Sequence, residues 1–509
     1  MTMLSLFDQG APAPCPAPFN MAAHVLARAG ELADKTALSV IGGAQPESWT
    51  YAALEAAVRG TATGLLREGL TPGDIVLLRL GNTADFPIAY LGAIAAGLVP
   101  VPTSSQLTER EITAMSVDLA PKQIIAAPGI SLPDNNAPVL PLERLRAFRG
   151  LPPADFALCD PERPAYIIFT SGTSGRPRAV AHAHRAIWAR RMMWQGWYGL
   201  TEADRLLHAG AFNWTYTLGT GLMDPWSVGA SALIPAAGTA PTELARLLAE
   251  HETTIFAAAP GVYRQMLRAP VPALPRLRHG LSAGEKLPSE VARAWKKASG
   301  TPVYEAYGMS ECSTFVSACP SAPAPVTTLG RPQPGRRVAL IGADGPVPMG
   351  EAGVIAVHRS DPGLMLGYLG QPEETAARFQ REWFLTGDVG RMAEDFTITY
   401  EGRADDMMNA GGYRVSPVEV EDAMTAHPAI TDAAACELQV KADTTVIGLF
   451  YVSSGEIAEE ELGAFAAERL ARYKCPRLFL HRESLPRGAN NKLLRRVLRE
   501  EWEAGCKSA

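Results

Sequence analysis

The chain has 509 residues, 47% of them hydrophobic and 20% charged, an ordinary globular composition with length for more than one domain. Its formal net charge of −6 argues against a dedicated nucleic-acid binder, which carries a basic surplus. Its seven cysteines are odd in number and include no Cys-x-x-Cys pair, which speaks against a disulfide framework or a structural zinc site and for a reducing, cytoplasmic home.

Read from the start, residues 1–20 contain no Lys or Arg and are rich in Pro and Ala, so no signal peptide is expected. Apolar residues at helical spacing predict a helix over 52–66, and the run 74–80 a buried strand. The most apolar stretch, 86–101, is too short to span a bilayer comfortably and contains Pro100. It is expected to be a buried helix followed by a short strand at 99–101, and no membrane association is expected. A further strand is predicted at 123–127. This alternation implies a mainly parallel sheet covered by helices. It resumes with strands at 166–169, 232–234, 254–257 and 303–304. From about 325 to 400, strands at 338–341 and 354–358 lie between Gly and Pro turns, which suggests a small antiparallel sheet or barrel. Ser416-Pro417-Val418-Glu419 has the pattern of a capping box with Pro at the first helical position. A strand at 445–452 and a helix at 459–470 complete an αβ segment. The fold class expected is therefore α/β, with βαβ-type subdomains and a small barrel-like part, followed by a small α+β C-terminal domain.

The chemistry is concentrated at 166–184. An apolar strand runs into Thr170-Ser171-Gly172-Thr173-Ser174-Gly175, followed by Arg176 and Arg178. Glycines let backbone N–H groups crowd an anion, hydroxyls add donors, and arginine neutralises phosphate. The segment suits a polyphosphate, yet no Gly-Lys-Ser/Thr closes it in the Walker manner. His182-x-His184 has no nearby third ligand in sequence and reads as structural rather than as a metal pair. Gly308-Met309-Ser310-Glu311-Cys312 lacks the last glycine of a nucleophile elbow.

Downstream, in order, stand Tyr304-Glu305-Ala306-Tyr307-Gly308-Met309-Ser310-Glu311, Thr386-Gly387-Asp388, Gly402-Arg403-Ala404-Asp405-Asp406, Gly412-Tyr413-Arg414, and 485–492 ending in Lys492. Together with the loop at 170–175, this ordered set resembles the adenylate-forming superfamily, which includes acyl-CoA synthetases, adenylation domains of peptide synthetases and firefly-type luciferases. The likeness runs from Trp49 to Lys492. It implies an enzyme that joins a carboxylic acid to AMP from ATP and then passes the acyl group to coenzyme A. The domains it implies are 1–403 and a mobile 404–509.

The resemblance also implies site residues. Thr170, Ser171, Gly172, Thr173, Ser174, Gly175 and Arg178 would hold the phosphates, with Arg178 and Ala179 where the family usually has Lys and Gly. Glu311 would bind Mg2+, through hard carboxylate and phosphate oxygens. Ser310 would reach the α-phosphate. Tyr307 and Gly308 would border the adenine, together with Ala283, Gly284 and Glu285. Asp388 and Arg403 would hold the ribose, and Asp405 would be the hinge. Gly411 and Gly412 would approach the CoA thiol channel. Lys492 would be the catalytic cation, preceded by Asn491 where the family usually has Gly. The acyl pocket would be lined by Asn213, Trp214, Tyr216, Ala283, Met309 and Cys312, none of which is charged. This suits a small or medium monocarboxylic acid, aliphatic or aromatic. Alternatives are a stand-alone enzyme loading a carrier protein, or a nucleotide-binding protein without ligase activity. A monomer or homodimer is expected.

Overall fold

The apolar run near residue 90 becomes the helix Asp85–Ala95, buried along its whole length. Its one charge, Asp85, is neutralised by Arg146 and Arg149, as a buried carboxylate requires. In the computed structural model, residues 3–43, 47–170, 177–325, 327–404, 406–410, 413–441, 444–488 and 493–507 are described. They divide into two units, Phe7–Arg337 with Val357–Phe384, and Met1–Leu6 with Val338–Ala356 and Leu385–Ala509.

The larger unit is α/β. Its main sheet has nine strands. The six central ones, Val303–Met309, His279–Ala283, Ile255–Ala257, Arg205–His208, Ser231–Pro235 and Thr36–Ile41, are parallel neighbours in that order. Antiparallel strands close both edges. A second, parallel sheet runs Val99–Pro102, Ile75–Arg79, Gln123–Ala126, Val139–Pro141. Strands buried on both faces read as unbroken apolar runs, which is why these segments were visible without alternation. The third sheet is the one that matters for chemistry: Gly367–Tyr368, Arg178–Ala183, Pro164–Thr170, all antiparallel.

The smaller unit holds residues 338–341, 352–356 and 385–392 of one sheet, and Ile398–Arg403 pairs antiparallel with the last of these. It continues with a three-stranded sheet, Asp432–Lys441, Thr444–Val452, Leu478–Arg482. The helix Pro417–Thr425 starts where its Pro requires, with Ser416 Oγ accepting from the Glu419 N–H. The Glu419 carboxylate pairs with Lys474 Nζ at 2.6 Å. The helix Glu459–Ala467 packs Leu462 and Ala466 into the same core as Val420 and Met424.

Candidate active site

The strand Pro164–Thr170 and the strand Arg178–Ala183 form a hairpin in which Thr170 faces Arg178. Ser171, Gly172, Thr173, Ser174 and Gly175 lie outside the described residues. Ala179 belongs to the second strand rather than to the loop. It pairs with Phe169, and its Cβ is buried in a cluster with Leu77, Ile124 and Ile167. The residue that replaces the family's glycine is therefore a packing residue.

Arg178 is held from two sides. Its Cζ lies 5.2 Å from the centroid of the Tyr368 ring, a cation–π distance. One nitrogen, Nη2, donates to Glu374 Oε1, whereas the buried Nε has no hydrogen-bond partner among the described residues. Tyr368 sits there because its strand pairs with the hairpin, Tyr368 opposite Val180. Its hydroxyl donates to Glu311 Oε1 at 2.7 Å. Burial, and then the charge of Glu311, push the Tyr368 phenol above its ordinary pKa, so it remains a donor.

Glu311 is only 6% exposed, and its loop is pinned at neighbouring points. The Met365 N–H donates to the Glu311 carbonyl at 2.7 Å. His182 Nε2 lies 2.7 Å from the Ser310 carbonyl; a carbonyl only accepts, so Nε2 carries the proton. The His182 ring stacks on Tyr166 at 4.8 Å, and burial lowers its pKa to about 4. His184 Nδ1 accepts from the Met21 N–H at 3.0 Å. Both histidines thus bind backbone, and no cluster of three or more His, Cys, Asp or Glu suited to a metal exists among the described residues.

The strand carrying Tyr307 needs a glycine. A Cβ at Gly308 would overlap the backbone of Ser313 and Thr314, because the facing strand crowds a bulge between Tyr307 and Gly308. Tyr307 stands half-buried, edge-on to Phe315 at 5.3 Å. Met309 and Ser310 are half-buried beside it. Cys312 is fully buried with Sγ 3.8 Å from Asp361 Oδ1, and Asp361 pairs with Arg336 at 2.5 Å.

A second cluster brings together three of the residues expected at the acyl pocket, Trp214, Tyr216 and Ala283, and leaves out Asn213, Met309 and Cys312. Ala283 ends its strand buried, and Gly284 follows with φ +95°. A side chain there would run into the Trp214 indole, although Gly284 itself is exposed. Trp214 meets Tyr216 edge-to-face at 5.1 Å, and Tyr216 packs against Trp197 at 5.7 Å. Tyr216 Oη donates to the Leu281 carbonyl at 3.2 Å. Asn213 is half-buried just before the helix Thr215–Leu218, as is Glu285 after Gly284. His208, absent from the sequence reading, lies 4.4 Å from the Tyr216 ring, and burial holds its pKa down at about 3. A lone His at a strand end gives no signal in sequence.

In the smaller unit, Asp388 and Arg403 occupy opposite positions on neighbouring antiparallel strands. Arg403 Nη1 is 3.5 Å from Asp388 Oδ1, and the Tyr400 hydroxyl is at the same distance from that oxygen. Strand register accounts for an Asp and an Arg fifteen residues apart sharing one spot. Asp405, Gly411, Gly412 and Lys492 lie outside the described residues. Beside Asp405, the Asp406 carboxylate bonds Arg499 at 3.0 Å. Arg495 pairs with Glu421, whose side chain is 12% exposed, at 2.6 Å. Arg487 and Leu493, which flank the segment of Lys492, are joined by a β-bridge.

The profile of the family described as AMP-binding enzyme matches residues 26–369, and that of the AMP-binding enzyme C-terminal domain matches 419–492. The chain is 31% identical to the benzoate–CoA ligase of Thauera aromatica over 486 residues, covering 89% of this chain and 90% of that one. It is 30% identical to the 3-hydroxybenzoate–CoA ligase of Aromatoleum sp. (strain CIB), covering 93% and 95%. A benzoate CoA ligase from Burkholderia xenovorans LB400 superposes with a TM-score of 0.83 at 30% identity, covering 94% and 100%. The chain belongs to the AMP-binding enzyme family, in the adenylate-forming superfamily. Within it this is an acyl-CoA synthetase, an AMP-forming acid–thiol ligase that activates a carboxylic acid as acyl-AMP and transfers it to coenzyme A. Among the described residues no helix is long and apolar enough to cross a membrane.

Proposed function

We propose that the acid is an aromatic monocarboxylate of benzoate size. The observation that carries this is the aromatic wall of Trp214 and Tyr216 beside Ala283, with the indole against Gly284. Flat rings with a negative face and positive edge favour another ring against them. None of Asn213, Trp214, Tyr216, Ala283 and Met309 is charged, so a second carboxylate or an ammonium on the acid would be buried without a partner. The named relatives that act on benzoate and 3-hydroxybenzoate agree with this size and shape.

The residue roles follow the chemistry of the two half-reactions. The acid's carboxylate oxygen attacks the α-phosphorus of ATP, the bond to the bridging oxygen breaks, and pyrophosphate leaves. Thr170 to Gly175 and Arg178 hold the β- and γ-phosphates, and Ser310 reaches the α-phosphate. Tyr307, with Gly308, Gly284 and Glu285, borders the adenine, and Asp388 with Arg403 orients the ribose. Lys492 brings an ammonium to the charge that spreads over oxygens in the transition state. Glu311 fits Mg2+. It offers one hard carboxylate whose Oε1 is steadied by Tyr368, and a single carboxylate completed by substrate phosphates is a usual magnesium arrangement. Bound there, the ion would supply charge neutralisation to the phosphates. Then 404–509 swings about Asp405, Gly411 and Gly412 approach the thiol, sulfur attacks the acyl carbon, and AMP departs.

A panel of acids assayed with CoA for AMP release tests the reading. Benzoate and its hydroxy derivatives should exceed aliphatic acids of equal carbon count by at least about tenfold in kcat/KM, the scale of a well-matched apolar pocket. Preference for the aliphatic acids would overturn it. Lys492→Ala should lower adenylation by about 100-fold or more while sparing thioester formation from supplied acyl-AMP; equal loss in both half-reactions would remove Lys492 from its role.

A further inference from the structure

Arg178 uses its donors unevenly. The guanidinium edge made by Nε and Nη2 is the edge that grips a two-oxygen anion side-on. On that edge Glu374 takes Nη2 through one oxygen, and the buried Nε has no partner among the described residues. Glu374 is no fixture of the core: its side chain is 40% exposed, and it sits on the one-turn helix Pro372–Ala376. The other support of Arg178 is the Tyr368 ring, over which its Cζ lies 5.2 Å from the centroid, a contact that uses no hydrogen-bond donor. That ring is fixed by strand pairing and by its bond to Glu311.

Resting on the reading of Arg178 as a phosphate ligand, we propose that Glu374 is an internal stand-in for the phosphate, holding the Nε–Nη2 edge until polyphosphate displaces it, so that Glu374 sets the affinity for ATP and pyrophosphate. Three features support the exchange. A phosphate can bond Nε and Nη2 together, whereas Glu374 satisfies only one of them. A half-exposed carboxylate loses little on returning to water. The cation–π contact with Tyr368 holds the guanidinium independently of Glu374, so the arginine does not have to move when its partner changes. Glu374 also places a negative charge beside the cation, which opposes a bound polyphosphate.

Calorimetric titration of the full-length protein with pyrophosphate, and separately with AMP, tests the proposal. Glu374→Gln should bind pyrophosphate about twofold to fivefold more tightly than the parent, the scale of a half-exposed ion pair, with AMP affinity unchanged. The gain should shrink as salt is raised, and it should vanish when Arg178→Met is added. Unchanged or weaker pyrophosphate binding by Glu374→Gln, in protein with parental circular dichroism, overturns the proposal, as does an equal gain for AMP. Glu374→Ala gives the same reading if the Gln variant does not fold. Arg178→Met alone separates the two levels of the claim. If it weakens pyrophosphate binding while Glu374→Gln gains nothing, only the stand-in fails. If it leaves pyrophosphate binding intact, the phosphate role of Arg178 fails as well.

Discussion

Arg190 and Arg178 each face a carboxylate, but their donors are engaged to different degrees. Arg190, on the helix Ala186–Met193, is 6% exposed and its partner Asp224 only 1%. Its Nε and Nη2 both reach Asp224, at 3.0 and 2.5 Å. Its remaining donors go to Ser313 Oγ at 2.5 Å, Tyr198 Oη at 3.1 Å and Thr220 Oγ1 at 3.3 Å. Burial alone would lower the Arg190 pKa, but the Asp224 charge outweighs it and the value rises, so the guanidinium stays charged. Arg178 has one carboxylate oxygen, one aromatic ring and an Nε with no partner among the described residues. A saturated arginine is a structural element. An unsaturated one beside a predicted phosphate loop has capacity left for a ligand.

Breaking the saturated network should cost most. Asp224→Ala leaves a buried guanidinium without its counter-charge and should destabilise the protein by about 3–5 kcal/mol, read as a fall in the denaturant midpoint. Acid should act next. His208 and His182 are held neutral by burial, at about 3 and about 4, below the ordinary 6.5 of an unfolded chain. The unfolded state therefore takes up protons that the folded state refuses. Stability is full above about pH 6.5 and is lost as pH falls from there towards 4 for His182 and 3 for His208. Each should account for about 2 kcal/mol between pH 7.5 and pH 5, and His208→Phe should flatten the measured pH slope by that amount. Tyr368→Phe comes third. It removes the donor to Glu311 and should cost about 1 kcal/mol, together with a fall in the rate of ATP–pyrophosphate exchange, since the carboxylate loses its steadying contact. Smallest in stability is Arg178→Met, within about 1 kcal/mol of the parent because its ion pair is half-exposed. Its effect should appear in the KM for ATP. A large loss of stability from Arg178→Met would erase the contrast between the two arginines.

Local signals in the sequence were read well. Pro417 after Ser416 marked a helix start, and the apolar runs near 77, 90 and 167 became a strand, a helix and a strand. The α/β class followed from their alternation. What escaped were partners fixed by register. Tyr368 stands 57 residues from Glu311, and His182 128 residues from Ser310. Each pair meets because separate strands and turns converge, and nothing in the local pattern of either residue encodes the other. Tyr400 beside Asp388 is the same case. Ala179 shows the reverse limit: the resemblance marks it only as a departure from the usual glycine, and strand pairing with Phe169 makes it core.

The contact between Trp214 and Gly284 constrains how these two positions can vary. With Trp214 in place, position 284 has neither room nor a favourable φ for a side chain. Trimming residue 214 would open the space and leave the φ of +95° as it is, so 284 stays a glycine whatever its neighbour becomes. Variation in this corner of the fold is thus confined to residue 214, and libraries that randomise 284 as well would waste most of their members.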